Sequence, residues 1–244
     1  MILKILVLIA AITQVVAPAY LSIGTFETSE RIMTVFIQPA GWAFSIWGLI
    51  YTLSFVYAVY QLINNNNLLK KTRVPAIVGF LGSVVWLYFA GIDNYLVWLT
   101  IPILFLMAIS FTFIIKAKNE GSNLNILLSK KILFPYAAWT GIASWLNVQS
   151  LLSERSIITT DLINLLSNGF LFLCIVTFTL IYFKKTSYSM WYGGVMIWAG
   201  LGVIYSNLNG GSILFAGLGG FLILAVIFIY TKKNKLYKRV ITPL

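Results

Sequence analysis

The stretch Leu162-Ile163-Asn164-Leu165-Leu166-Ser167-Asn168-Gly169-Phe170-Leu171-Phe172-Leu173-Cys174-Ile175-Val176-Thr177-Phe178-Thr179-Leu180-Ile181-Tyr182-Phe183 carries no charge and is bounded by Asp161 before it and Lys184-Lys185 after it. A helix needs roughly 20 mostly apolar residues to cross the hydrocarbon core of a bilayer. A run of that length ending on a lysine pair reads as one crossing with its basic end in the cytoplasm. Seven runs of the same kind precede or follow it: Ile5–Ser22, Gly41–Ile63, Val74–Gly91, Tyr95–Ile115, Ile132–Leu151, Tyr188–Ser206 and Ser212–Tyr230. The expected fold is therefore an all-α, polytopic transmembrane bundle of about eight helices, and its short connections predict that sequence neighbours pack antiparallel.

Composition agrees. The chain is 60% hydrophobic and 9% charged, with a mean hydropathy of +0.92, whereas charged residues make up about 25% of soluble domains. A formal charge of +11 would suggest a nucleic-acid partner in a soluble protein, but here the charge follows topology and no such partner is expected. With a cytoplasmic N-terminus, the inner segments hold Lys4, then Lys70, Lys71 and Arg73, then Lys116, Lys118, Lys130 and Lys131, then Lys184 and Lys185. They end on a basic tail, 232–244, with Lys232, Lys233, Lys235, Lys238 and Arg239, and only Arg31 and Arg155 fall outside. Both termini are thus expected in the cytoplasm. The Asn-, Ile- and Lys-rich composition suggests a bacterial plasma membrane, with membrane lipid as the first partner. Ala17-Pro18-Ala19 after an apolar run also has the form of a signal-peptide cleavage site, but the eight-run topology favours a retained first helix.

Absences limit the chemistry. The chain has no His, so histidine triads and the common zinc and haem ligations are not available to it. Its one cysteine, Cys174, lies mid-span and reads as a small buried hydrophobe. No phosphate-cradling glycine loop is present. The carboxylates lie in loops or at span edges, with Asp93 expected in a tight outer turn and Asp161 as a helix N-cap. No catalytic residue, metal ligand or cofactor is expected, and an enzyme is the less favoured reading.

Aromatic residues are in excess, 16% of the chain with eight Trp. An interfacial belt accounts for Trp42, Trp98 and Trp191 near span ends. Trp47, Trp86 and Trp139 lie deeper, and a buried indole N–H needs an acceptor, so these three belong either to packed core or to a cavity wall. The second span reads Gln38-Pro39-Ala40-Gly41-Trp42-Ala43-Phe44-Ser45-Ile46-Trp47-Gly48-Leu49-Ile50-Tyr51, with Trp47 and Tyr51 one turn apart on one face. The fifth carries Pro135-Tyr136-Ala137-Ala138-Trp139 and then Leu146-Asn147.

These two motifs resemble those of the TspO/MBR family, the tryptophan-rich sensory proteins related to the peripheral benzodiazepine receptor. The resemblance implies a five-helix core over residues 1–151; the apolar runs add a three-helix transmembrane segment, 152–231, that falls outside the resemblance. It also implies a cavity among the first five helices, opening near Pro39 to Trp47, that takes a hydrophobic small molecule such as a porphyrin or, in some members, a sterol. The residues that would line it are Pro39, Trp42, Trp47, Tyr51, Ser83, Trp86, Pro135, Trp139 and Asn147. The chain departs from the family pattern in lacking a second Pro between Phe44 and Trp47. It also has Ser83 where the family has Asn before the third-helix Trp, and no Tyr followed by a basic residue after the fifth helix; these differences bear on ligand identity more than on fold. In the last helix Ser212, Ala216 and Gly220 form a small-residue ladder that joins it to the bundle or to a second copy in a homodimer. A ligand-binding or sensory membrane protein is the leading expectation. A small-solute permease is the alternative, and an enzyme on a lipid-soluble substrate would lack an acid/base pair.

Overall fold

In the computed structural model, residues 1–21, 35–91, 95–154, 157 and 160–241 are described. Eight long helices and one short one are present among them: α1 Ile2–Leu21, α2 Ile46–Ile63, α3 Asn67–Ala90, α4 Thr100–Lys116, the short α5 Asn123–Ser129, α6 Phe134–Glu154, α7 Asp161–Lys185, α8 Met190–Leu208 and α9 Ile213–Ile241. Short 3-10 turns lead into α2 (Gly41–Ser45), α4 (Tyr95–Leu99) and α6 (Lys131–Leu133). The chain is an all-helical bundle. Among the described residues, six segments are long and apolar enough to cross a membrane, namely Ile2–Leu21, Gly41–Ile63, Asn67–Ala90, Leu96–Lys116, Asp161–Lys185 and Ile213–Asn234.

The other two long helices are more polar for a packing reason. α6 sits against α4, α7 and α8, and its Thr140, Ser144, Gln149 and Ser153 are all 0% exposed. A helix walled by protein keeps polar side chains that lipid would penalise. α8 is glycine-rich because α9 lies tightly along it: a Cβ on Gly200 would stand 3.1 Å from the carbonyl oxygen of Gly219, and one on Gly219 would stand 3.0 Å from that of Gly200. The expected Ser212–Ala216–Gly220 ladder is therefore shifted at its last rung, since Gly220 has open space around it and Gly219 makes the close approach.

Helix starts also differ from the charge-based boundaries. The Asn66 side chain accepts from Leu69 N at 2.8 Å, an N-cap that starts α3 at Asn67 and draws Lys70, Lys71 and Arg73 into its first turns. Asn66 thus caps α3, while Asn65 and Asn67 on either side of it are exposed. α7 is capped by Thr160, whose hydroxyl accepts from Ile163 N at 3.3 Å. Asp161 is the first helical residue rather than the cap, still favourably placed against the helix dipole. Asp93 lies outside the described residues, as do Glu27, Glu30, Arg31 and Arg155.

One pair of sequence neighbours does not pack as expected. α2 and α3 are joined by three residues, Asn64 to Asn66, yet α1 packs on both of them while their own backbones stand apart. Large side chains occupy the gap: Tyr57 is fully buried there with its hydroxyl 2.8 Å from Thr72 Oγ1.

Candidate functional site

Trp47 is the hub of the space between α2 and α3. Its ring lies 5.4 Å from Tyr51, 5.8 Å from Trp86 in a near-parallel stack, 5.8 Å from Tyr136 and 6.5 Å from Trp139, the last two edge-on. These are the offset and T-shaped arrangements that ring quadrupoles favour. Helical spacing makes them possible: Trp47 and Tyr51 on α2, Ser83 and Trp86 on α3, and Tyr136 and Trp139 on α6 are each one turn apart.

Polar groups within the cluster are paired across helices. The Tyr51 hydroxyl is 3.0 Å from Ser83 Oγ. The Trp86 indole donates to Asn147 Oδ1 at 3.3 Å, and Asn147 Nδ2 donates to Ala143 O at 3.0 Å. Tyr136 donates to Gln14 Oε1 at 3.0 Å. Two donors remain without partners among the described residues: the indole N–H of Trp139, which is 0% exposed, and Nε2 of Gln14, 1% exposed. An unpaired buried donor costs about 1 to 3 kcal/mol, so a cluster that keeps two of them is either strained or incomplete without an acceptor.

Of the nine candidate residues, Trp47, Tyr51, Ser83, Trp86, Trp139 and Asn147 are brought together here. The other three lie elsewhere. Pro39 is packed against α8, where a Cβ on Gly202 would stand 2.7 Å from Pro39 Cβ. Trp42 turns outward onto α8, edge-on to Trp198 at 4.9 Å and to Tyr205 at 6.1 Å. Pro135 lines a separate groove of about 510 Å³ between α2, α6 and α8, walled by Ser45, Ile46 and Leu49 on one side and by Met190, Trp191, Gly194, Val195 and Trp198 on the other.

The groove and the ring cluster are back to back. Ser45, Ile46 and Pro135 face the groove, while their chain neighbours Phe44, Trp47 and Tyr136 belong to the rings, with Phe44 edge-on to Trp139 at 5.5 Å. Four participants were not singled out from sequence: Gln14, Phe44, Tyr136 and Trp198. Tyr136 and Phe44 lay inside the quoted motifs, so the signal was present. Gln14, the only Gln in the first apolar run, was the polar residue that could have marked its inward face.

The segment ahead of α2 is held by the last three helices. Asn168 on α7 accepts from Ile37 N at 3.2 Å. On α8, Asn207 donates to Phe36 O at 2.7 Å and Trp198 donates to Ala43 O at 2.8 Å. Ala40 N donates to Gly202 O at 3.0 Å, and Phe36 stacks on Phe215 of α9 at 5.3 Å.

Over residues 1–230 the chain matches the family described as TSPO-like protein. The matched range takes in α7, α8 and most of α9 as well as the helices that carry the motifs. No curated protein and no solved structure matches the chain.

Proposed function

This chain belongs to the TSPO-like family and is a multi-pass membrane protein, and from that premise we propose that it binds a flat, largely apolar small molecule bearing hydrogen-bond acceptors, of the tetrapyrrole class. The ligand enters sideways through the groove between α2, α6 and α8 and reaches the ring cluster behind it. The observation that carries this reading is the indole N–H of Trp139, unpartnered among the described residues, buried edge-on to Phe44 and Trp47 and one layer of side chains from the groove. A volume of about 510 Å³ lies within the range of small-molecule sites, roughly 300 to 1,000 Å³. Trp and Tyr faces stack on a macrocycle, and a carboxylate or carbonyl on its edge satisfies Trp139. The role is sensing or handling of the ligand in a bacterial plasma membrane, with both termini in the cytoplasm.

The test is a titration of purified protein in detergent with protoporphyrin IX, followed by the porphyrin absorbance band. Saturable binding is expected, weakened by Trp139→Phe and Trp47→Phe. Gly194→Leu should block it, because a Cβ at Gly194 meets nothing within 4 Å and a larger side chain there fills the groove without strain. Binding that does not saturate, or that ignores all three substitutions, overturns the reading.

A further inference from the structure

A second cavity, of about 320 Å³, lies at the lysine-bearing ends of α4 and α7 and is lined by Ile115, Lys116, Ala117, Asn119, Lys130 and Lys185. Three of these six are cations, contributed by the last turn of α4, the residue after α5 and the last turn of α7. Lys116 and Lys185 have an ordinary explanation, since lysines in a last helical turn compensate the helix dipole. Lys130 does not. It is 6% exposed, and its ammonium donates only to Ala117 O at 2.5 Å and Asn119 Oδ1 at 3.0 Å. Both are neutral, and the third donor has no partner among the described residues.

Among the described residues no acid lines the cavity. The nearest acid in sequence, Glu120, turns away to Lys71 at 2.9 Å, and the hydrogen bond and charge of Lys71 hold its carboxyl below the usual glutamate range. Burial, and then the neighbouring Lys131, push the Lys130 ammonium below the usual lysine range. A buried cation is normally paired, and this one has two more cations across a pocket in place of a carboxylate. Lys185 is held beside it with Nζ 4.8 Å from the centre of the Tyr182 ring.

We propose that this pocket binds a phosphate anion, with Lys130 as its buried anchor and Lys116 and Lys185 as its rim. Basic pockets between helices on the cytoplasmic side of membrane proteins take lipid phosphates, and the same chemistry serves a soluble phosphate. The site is separate from the aromatic groove and independent of what the groove binds.

The experiment is native mass spectrometry of the purified protein with phosphatidylglycerol or phosphatidylcholine added, repeated with inorganic phosphate as competitor. The double variant Lys116→Gln/Lys185→Gln changes two exposed residues and should fold. Lys130→Gln tests the anchor, and Lys70→Gln removes an exposed charge outside the pocket as a control. The expected result is selective retention of phosphatidylglycerol, weakened about thirtyfold by the double variant and about fivefold by Lys130→Gln, at about 1 kcal/mol per lysine near the surface. Lys70→Gln and phosphatidylcholine should show no such change. Displacement by millimolar inorganic phosphate would support the same site with a soluble phosphate as its occupant, and resistance to it would assign the occupant to lipid. Equal phosphatidylglycerol retention in the wild type, the double variant and Lys130→Gln overturns the proposal.

Discussion

Replacing Gly202 by Ala puts one methyl group where the segment ahead of α2 crosses α8. The new Cβ would stand 2.7 Å from Pro39 Cβ, 2.9 Å from Ala43 Cβ and 3.3 Å from Pro39 Cα, while carbon atoms rest at about 3.5 to 4.0 Å. None of these atoms is the end of a flexible side chain, so relief requires the helix and the segment to move apart by about 1 Å. That movement lengthens the Ala40 N to Gly202 O bond, now 3.0 Å, and the Trp198 to Ala43 bond, now 2.8 Å. Overpacking of this kind costs about 1 to 3 kcal/mol. For a chain of this size each kcal/mol shifts the midpoint by roughly 2 to 4 °C, so Gly202→Ala should melt several degrees lower in a fixed detergent. Gly194→Ala is the matched control on the same helix: nothing lies within 4 Å of its Cβ, and Ala is favoured over Gly inside a helix by up to about 1 kcal/mol. It should melt at or above the wild type. If Gly202→Ala is as stable as Gly194→Ala, the segment is not held against α8 as described.

The turn between α7 and α8 places two consecutive non-glycine residues, Ser187 (φ 58) and Tyr188 (φ 59), in the left-handed region. That costs about 1 to 2 kcal/mol per residue. Ser187 is exposed and its carbonyl, which accepts from Lys233, survives substitution, so Ser187→Gly should raise thermal stability by about 0.5 to 1 kcal/mol once glycine's entropic cost is set against the relief. Arg73 is 6% exposed and bonds only amide oxygens, those of Gln61, Asn64 and Asn65, at 3.0 to 3.4 Å. Arg73→Gln should cost about 2 to 3 kcal/mol through lost charge-assisted bonds, and Arg73→Lys should recover only part of it because the planar fork is gone; limited proteolysis at the α2–α3 connection reads the loosening directly. Separately expressed fragments 1–154 and 160–244 should copurify, because the second supplies the partners of Phe36, Ile37, Ala40 and Ala43. A fragment 1–154 that melts like the full chain and retains no partner would refute this.

The membrane class and the number of long helices were legible in the sequence because apolar run length and lysine position are local quantities. The ring cluster was legible too, since Trp47 with Tyr51, and Ser83 with Trp86, declare a shared face by spacing alone. The positions of Pro39 and Trp42 were not. Their partners, Gly202 and Trp198, are more than 150 residues away in sequence, and Trp42 reads as an interfacial residue until α8 is laid against it. α3 begins ahead of its apolar run because the Asn66 cap and five hydrogen bonds from Arg73 outweigh a cluster of positive charge at a helix N-terminus. Charge pattern gives no indication of that compensation.

The placement of α8 links the two halves of the chain physically. It forms one wall of the groove through Gly194 and Trp198, and it also holds the segment ahead of α2 through Trp198, Gly202 and Asn207. The same Trp198 therefore lines the groove and fixes the backbone at Ala43, one residue before Phe44 and four before Trp47. Displacement of Trp198 by a bound molecule would strain its bond to Ala43 and shift the start of α2, along with the rings it carries. If the groove binds as proposed, its occupancy and the position of the Trp47 cluster would for that reason be coupled through one indole.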